Sequence, residues 1–290
     1  MDGIAIVDKP KGLTSHDVVY KLRKQLKTSK IGHTGTLDPM ATGVLVICIG
    51  KATKLVKYLT FSDKEYLAEI TFGYLTDTDD ITGEILESVD IDDIDESKLD
   101  TALKSFLGNS FQIPPVASAI KVNGKRAYEY VHKNLERPVM EPRNITISAI
   151  ELLDGIRYES HKASIRIRVS CSKGTYIRAL ARDIGQRLNL PATLSALKRT
   201  RVGEFTSAMA LPLESFQVES VRLYDPIGYL GFQKIMIDET NRPKVMNGVF
   251  LPLELFPNHD ETLICDPEGL PLAIYMYDEV KNIMRLSVLL

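Results

Sequence analysis

The stretch KIGHTGTLDPMATGVLVICIG, residues 30–50, sets one carboxylate, Asp38, in a glycine- and threonine-rich loop that also holds His33 and runs into an apolar segment. A carboxylate so placed has three chemistries open to it: holding a metal ion, capping a turn, or attacking an electrophile. No His, Asp or Glu cluster of ligand spacing surrounds Asp38, and His33 alone does not complete a metal site. Turn capping is the ordinary fate of an Asp before Pro in a loop of this composition. Attack requires a cationic partner and a docked substrate, and Arg178 is a candidate partner.

Other chemistries are excluded by what is missing. GHTGTLDPMATG lacks the lysine of the phosphate-cradling G-x-x-x-x-G-K-[ST] loop and does not follow the G-x-G-x-x-G dinucleotide pattern. No G-x-S-x-G elbow marks a serine hydrolase. Cys48, Cys171 and Cys265 are far apart and share no C-x-x-C spacing, which argues against a disulfide framework and a zinc site. No metal and no cofactor are expected. The amino terminus, MDGIAIVDKP, has no basic or long apolar leader, and no stretch is long and apolar enough to span a bilayer, so a soluble cytoplasmic protein is expected.

The formal net charge of −2 hides a segregation of charge along the chain. Residues 9–30 carry seven Lys/Arg against Asp17 alone, and residues 173–201 carry seven more against Asp183 alone. Residues 77–100 hold eleven Asp/Glu and one Lys. If the two basic segments meet in space they make a phosphate-binding surface; if not, they are solvated helix faces.

The elements that must position these residues follow from periodicity. From Thr14 or Ser15, SHDVVYKLRKQLKTSK predicts an amphipathic helix with Val18, Val19, Leu22 and Leu26 on one side. GVLVICIG, residues 43–50, reads as a strand buried on both faces. KEYLAEITFG sets Tyr66, Ala68, Ile70 and Phe72 on one face of a strand, and SIRIRVSCS alternates Ile165, Ile167, Val169 and Cys171 against Arg166 and Arg168. After a turn at Gly174, a helix is predicted with Ile177, Leu180, Ala181, Ile184 and Leu188 inward and Arg178, Arg182 and Arg187 on its other side. FQIPPVASAIKVNGKRAYEYVHKNLERP, with its double proline and Asn-Gly turn, suits an extended, mobile insertion over a site. The acidic stretch 90–100 followed by LDTALKSFLG reads as a solvated loop and a helix, and a domain boundary is placed near YDPIGYLGFQ.

The loop around Asp38 resembles motif II of the TruB family of tRNA pseudouridine synthases, which convert uridine 55 of the tRNA T-loop to pseudouridine. VDKPKGLTSHDVV resembles the family's K-P-x-G-x-T-S segment, and KEYLAEITFGYLTDTDDITGE its tyrosine-bearing strand and acidic turn. IPPVASAIKVNGKRAYEY resembles its RNA-gripping insertion, and VSCSKGTYIRALARDIG its motif III, all in the family's order over residues 1–205. The resemblance implies Asp38 as nucleophile, Arg178 as its partner, and Tyr66 as the ring that stacks on the base or moves a proton at the sugar. It implies that His33, Tyr176 and Leu197 line the pocket for the flipped nucleotide, and it gives Lys9, Asp80 and Lys121 further substrate-binding roles. Without it, Tyr66, Tyr176 and Leu197 would read as packing residues, His33 as a loop hydrogen-bonder and Arg178 as a surface arginine.

Two departures stand out: Ala117 where the family has tyrosine, and His132 where it has arginine. The resemblance implies an α+β pseudouridine synthase fold: a mixed, largely antiparallel sheet flanked by helices, with a central cleft. Residues 1–225 are read as the catalytic domain, 111–142 as its mobile insertion and 226–290 as a small β-rich PUA-like domain. Residues 231–290 carry nine Asp/Glu against five Lys/Arg, which speaks against a strong phosphate-binding role there. The expected partner is the tRNA T-arm stem-loop, bound by a monomer with no obligatory protein partner. The alternative is a tRNA-binding chaperone that remodels the tRNA elbow, with incidental isomerase activity.

Overall fold

The structure is a computed structural model that describes residues 1–60, 63–118, 120–122, 124–132, 136, 138–219 and 221–290. The main sheet has eleven strands among the described residues, and eight of them position the site: β1 (Gly3–Lys9), β2 (Ile31–His33), β3 (Thr42–Ile49), β4 (Lys64–Phe72), β5 (Gly108–Gln112), β6 (Arg143–Leu152), β7 (Lys162–Cys171) and β8 (Ala192–Val202). They lie in the order β1-β3-β8-β4-β7-β6-β5, with β2 paired to β3 and the short strand Leu211–Pro212 on the outer side of β1. All these pairs are antiparallel except β3 with β8 and β1 with Leu211–Pro212. The sheet is therefore mixed and largely antiparallel, as the sequence implied.

Helix α1 (Ser15–Gln25) starts where the threonine predicts it. The Thr14 hydroxyl accepts from the Asp17 amide at 3.0 Å and the Asp17 carboxylate accepts from the Thr14 amide at 2.8 Å, a reciprocal cap worth about 1 kcal/mol. The helix ends earlier than SHDVVYKLRKQLKTSK suggests, because Lys27 adopts a left-handed conformation and the chain must feed Ile31 into β2. Val18, Val19, Leu22 and Leu26 are all buried, against Ala5, Val7, Leu45, Ile47 and Ile49.

The two halves of the sheet are buried differently, and the sequence patterns record this. On β4 and β7 one face carries Tyr66, Ala68, Ile70, Phe72, Ile165, Ile167 and Val169 into a core closed by α2 (Glu96–Lys104) and α3 (Ile177–Leu188). The opposite face of these two strands is polar, hence the strict alternation. On β1 and β3 both faces are covered, one by α1 and the other by a second unit. That unit is the four-stranded sheet β9 (Gln233–Met236), β10 (Thr262–Cys265), β11 (Pro271–Asp278) and β12 (Ile283–Leu289). Leu263, Cys265, Ile274 and Val288 join Ile4, Ile6, Val44, Val46 and Cys48 in one apolar cluster.

The insertion leaves the sheet after β5, so Phe111 and Gln112 are strand residues. Lys121–Val122 pairs with Lys125–Arg126 as a hairpin, followed by a short helix, Ala127–His132. Asn123 of the expected Asn-Gly turn lies outside the described residues.

One glycine carries the architecture. Gly43, at the start of β3 with φ +100°, faces Arg199 of the parallel strand β8, and a Cβ there would sit 2.2 Å from the Arg199 carbonyl oxygen. Gly12 is also left-handed, φ +91°, but faces open space. Gly43→Ala is therefore expected to cost roughly 3 kcal/mol or more in urea unfolding, against about 1 kcal/mol for Gly12→Ala.

Candidate active site

The loop between β2 and β3 is held on both sides of Asp38 by the segment KPKGLTS. Ser15, the first residue of α1, accepts from the Leu37 amide at 2.8 Å and donates to the Leu37 carbonyl at 3.3 Å. The Gly12 amide donates to the Pro39 carbonyl at 2.8 Å. Lys9 is 0 % exposed, and its Nζ donates to the carbonyls of Leu13 at 2.6 Å and Pro10 at 2.9 Å, with Pro39 at 3.5 Å. Burial pulls its ammonium down to about 8, against the attraction of Asp38. Lys9 is expected to bind substrate; here its buried amine is engaged by the backbone of residues 10, 13 and 39 and so also supports the loop.

Asp38 then meets Arg178 from the first turn of α3. Nη2 of Arg178 donates to Oδ1 of Asp38 at 3.1 Å. Nε lies 2.9 Å from Oδ2, but its N–H is not aligned for a hydrogen bond. The same guanidinium donates to the carbonyls of Thr78 at 3.0 Å and Ala117 at 2.9 Å, and its Nη1 stands 3.6 Å from Oδ2 of Asp80. Asp80 is in turn fixed by Thr78 and by both the amide and the hydroxyl of Thr82. Asp80 therefore stands behind the arginine, buried, where it backs the Arg178 guanidinium.

The helix reading of Arg178 and Arg182 is also corrected. Arg178 is 5 % exposed and points inward. Arg182 lies one turn further along, 2.8 Å from Asp79 and 2.9 Å from Asp183, and donates to the Ile113 carbonyl at 2.9 Å. Burial pushes the Asp79 and Asp183 carboxyls up while Arg182 pulls them down. Only Arg187 behaves as the outward cation that the periodicity predicts. A helix face carrying arginines becomes an inner face when carboxylates from another segment meet it.

Tyr66 and Leu197 belong to adjacent strands: Tyr66 is opposite Arg199, and Leu197 opposite Ala68. Both side chains are buried on the face of the sheet that carries α3. Tyr176 caps α3 and is half-buried, with Ser118 of the insertion beside its hydroxyl. Burial raises both phenols above their ordinary value, so each stays protonated and keeps its hydroxyl proton to donate. His33, at the end of β2, is pushed below its ordinary value by burial and by the charge of Arg199, and its Nδ1 has no partner among the described residues. Lys121 is exposed on the hairpin of the insertion.

Two functional contributors escape the sequence reading. Gln112, buried at the end of β5, accepts from the Tyr176 amide at 2.9 Å and donates to the Tyr176 carbonyl at 3.1 Å, so it fixes the peptide that presents the tyrosine. Arg199, counted above as one more basic residue, is buried beneath the Asp38 loop. An alternation reading of LSALKRTRV puts it on the same strand face as Leu197, which is the one signal available. Among the described residues no three His, Cys, Asp or Glu side chains are grouped to hold a metal ion.

An aspartate held by a buried arginine, with the phenols of Tyr66 and Tyr176 near enough to feel its charge, suits acid–base and nucleophilic work on an uncharged ring. The fold is that of the pseudouridine-synthase class of protein: a chain in a Cbf5-Nop10-Gar1 complex superposes with a TM-score of 0.70 at 26% identity, covering 95% of this chain and 78% of that one. The family described as TruB family pseudouridylate synthase (N terminal domain) matches residues 23–177. A protein of Bacillus thuringiensis (strain Al Hakam) named tRNA pseudouridine synthase B is 43% identical over 286 residues, covering 95% of this chain and 92% of its own. A protein of the same name from Bacillus pumilus (strain SAFR-032) is 43% identical over 302 residues, 98% of this chain and 96% of its own. The chain belongs to the TruB family of pseudouridylate synthases.

Two measurements check the supports. Asp80→Ala removes one carboxylate from a buried guanidinium and is expected to cost roughly 3 kcal/mol in urea unfolding. For Lys9, the folded state releases its proton near 8 and the unfolded state near 10.5. Across that window the unfolded chain binds more protons, so the Lys9 contribution makes stability rise with pH. The difference in slope between the wild type and Lys9→Met, read from unfolding curves at pH 7.5–10.5, isolates this contribution.

Proposed function

We propose that this protein isomerises uridine 55 in the T-loop of tRNA to pseudouridine, with Asp38 as nucleophile and no cofactor. The observation that carries the reading is the Asp38–Arg178 pair: the arginine is buried, while Asp38 keeps 33% of its side chain exposed to meet a substrate. A uracil stacked in a folded loop is out of reach, so the nucleotide must be flipped out at a cost of a few kcal/mol. Stacking against an aromatic ring returns about 1–3 kcal/mol, and Tyr66 supplies that ring. The reaction breaks N1–C1′, turns the uracil and forms C5–C1′, with the C5 proton released and one proton gained at N1. Atoms and electrons balance with no oxidant or reductant.

In this reading Arg178 holds the Asp38 carboxylate in position, Tyr176, Leu197 and His33 bound the base, and Lys121 with the rest of the insertion grips the T-arm. Of the fourteen cations in the two basic segments, Lys9, Arg178, Arg182 and Arg199 are taken up by buried carbonyls and carboxylates. The backbone contacts then fall to exposed cations such as Lys11, Lys21, Lys24 and Lys198. The enzyme acts as a cytoplasmic monomer. Ala117 and His132 take one aromatic ring and one permanent charge from the insertion, so more of the tRNA affinity rests on the body of the domain.

Tritium release from a T-arm stem-loop labelled at C5 of its uridines tests the reaction. The wild type is expected to release label from the single T-loop target, and Asp38→Asn to slow release by roughly three orders of magnitude or more at equal RNA occupancy. Tight binding by the wild type without release would sink the synthase reading in favour of a tRNA-remodelling protein. The affinity itself should fall with salt, and Lys121→Ala should flatten the log–log slope by about one.

A further inference from the structure

Arg178 grips Asp38 from one side, and a second buried guanidinium, that of Arg199, lies behind the same loop. Arg199 is 2 % exposed. Its Nε donates to the Val44 carbonyl at 2.8 Å, its Nη1 to the Thr36 carbonyl at 3.3 Å and its Nη2 to the Gly35 carbonyl at 3.2 Å. Gly35 and Thr36 precede Asp38 and Val44 follows it, so one planar group ties together the two arms of the loop that presents the carboxylate. Among the described residues no carboxylate pairs with Arg199. A buried cation without a counter-ion is costly, and carbonyl acceptors along its edge offset that cost.

The placement is built into the sheet. Arg199 sits on β8 directly opposite Tyr66 on β4 and beside Gly43 on β3. Its side chain shares the buried face with Tyr66, and its charge is felt by His33. The absence of a Cβ at Gly43 lets the Arg199 backbone come close enough for the guanidinium to reach both arms. Four of the residues assigned to the site thus border one side chain or the loop that it closes: His33, Asp38, Tyr66 and, next on the strand, Leu197.

We propose that Arg199 is a positioning residue for the isomerisation: it closes the nucleophile loop from behind and sets where Asp38 stands relative to Tyr66. This rests on the synthase reading above. A lysine keeps the charge but cannot bridge acceptors on both arms, because it is a point charge without the fork. Arg199→Lys is therefore the informative variant, with Arg199→Met as the variant that also removes the charge.

The test measures tritium release, T-arm binding and amide hydrogen exchange on the same proteins. For Arg199→Lys we expect kcat to fall roughly a hundredfold, as for small misplacements of a reacting group, with KM and RNA affinity within about threefold of the wild type. Amides of residues 33–41 should exchange about tenfold faster while those of β4 and β7 keep their protection. Arg199→Met should lose at least as much kcat. A wild-type kcat in Arg199→Lys overturns the proposal, as does a loss of kcat matched by equal loss of RNA affinity and of protection throughout the sheet. If the wild type itself releases no label, the synthase reading fails instead. The exchange of residues 33–41 then still decides the clamp, since unchanged protection in Arg199→Lys overturns it.

Discussion

One guanidinium joins segments that are otherwise remote in the chain. Arg178 binds Asp38 across 140 residues, the Thr78 carbonyl across 100 and the Ala117 carbonyl across 61. A buried arginine with so many acceptors cannot shift without leaving several of them unsatisfied. The loop, the acidic turn and the root of the insertion are consequently referred to a single point. The surrounding architecture can be understood as what keeps that point fixed: α3 packs its apolar side on the sheet, Gln112 holds the peptide at its start, and Asp80 backs the arginine.

The N-terminal strand and helix serve the same end from the other direction. Lys9, Gly12 and Ser15 all bond to the backbone of residues 37–39, so the first fifteen residues act as a frame for Asp38. The carboxylate is thereby fixed through its main chain on one side and through its oxygens on the other. This leaves its orientation independent of the insertion's outer hairpin.

Much of this was legible from residue order. The alternation in KEYLAEITFG and SIRIRVSCS marks strands with one wet face, and the unbroken GVLVICI marks a strand covered twice. Both are local consequences of burial. Thr14 followed by Asp17 announces the helix start for another local reason, since their side chains cap backbone amides of the first turn. Periodicity hid the inward arginines, since it assigns charge to the outside and the carboxylates that reverse it come from residues 38, 79 and 80; only Arg178 was expected inside, as the partner of Asp38. Gln112 has no signature at all: an amide that pairs with a distant peptide is defined only once β5 and α3 are neighbours. Lys9 shows the limit of resemblance, which places a residue near a site without telling whether it faces the ligand or the scaffold.

The C-terminal sheet has a consequence of a different kind. Its Leu263, Cys265, Ile274 and Val288 complete an apolar layer with Ile4, Ile6, Val44 and Val46, and Lys54, Lys57 and Tyr58 bond to Ser287 and to the Leu289 carbonyl at its rim. The face it covers belongs to β1 and β3, and β3 leads directly out of the Asp38 loop. The domain is thus not a detachable module in the evolutionary sense. A lineage that lost it would have to repaint that face with polar side chains, on the same strands whose opposite faces carry α1. The appendage and the catalytic sheet are bound to change together, and sequence drift in one is constrained by the shape of the other.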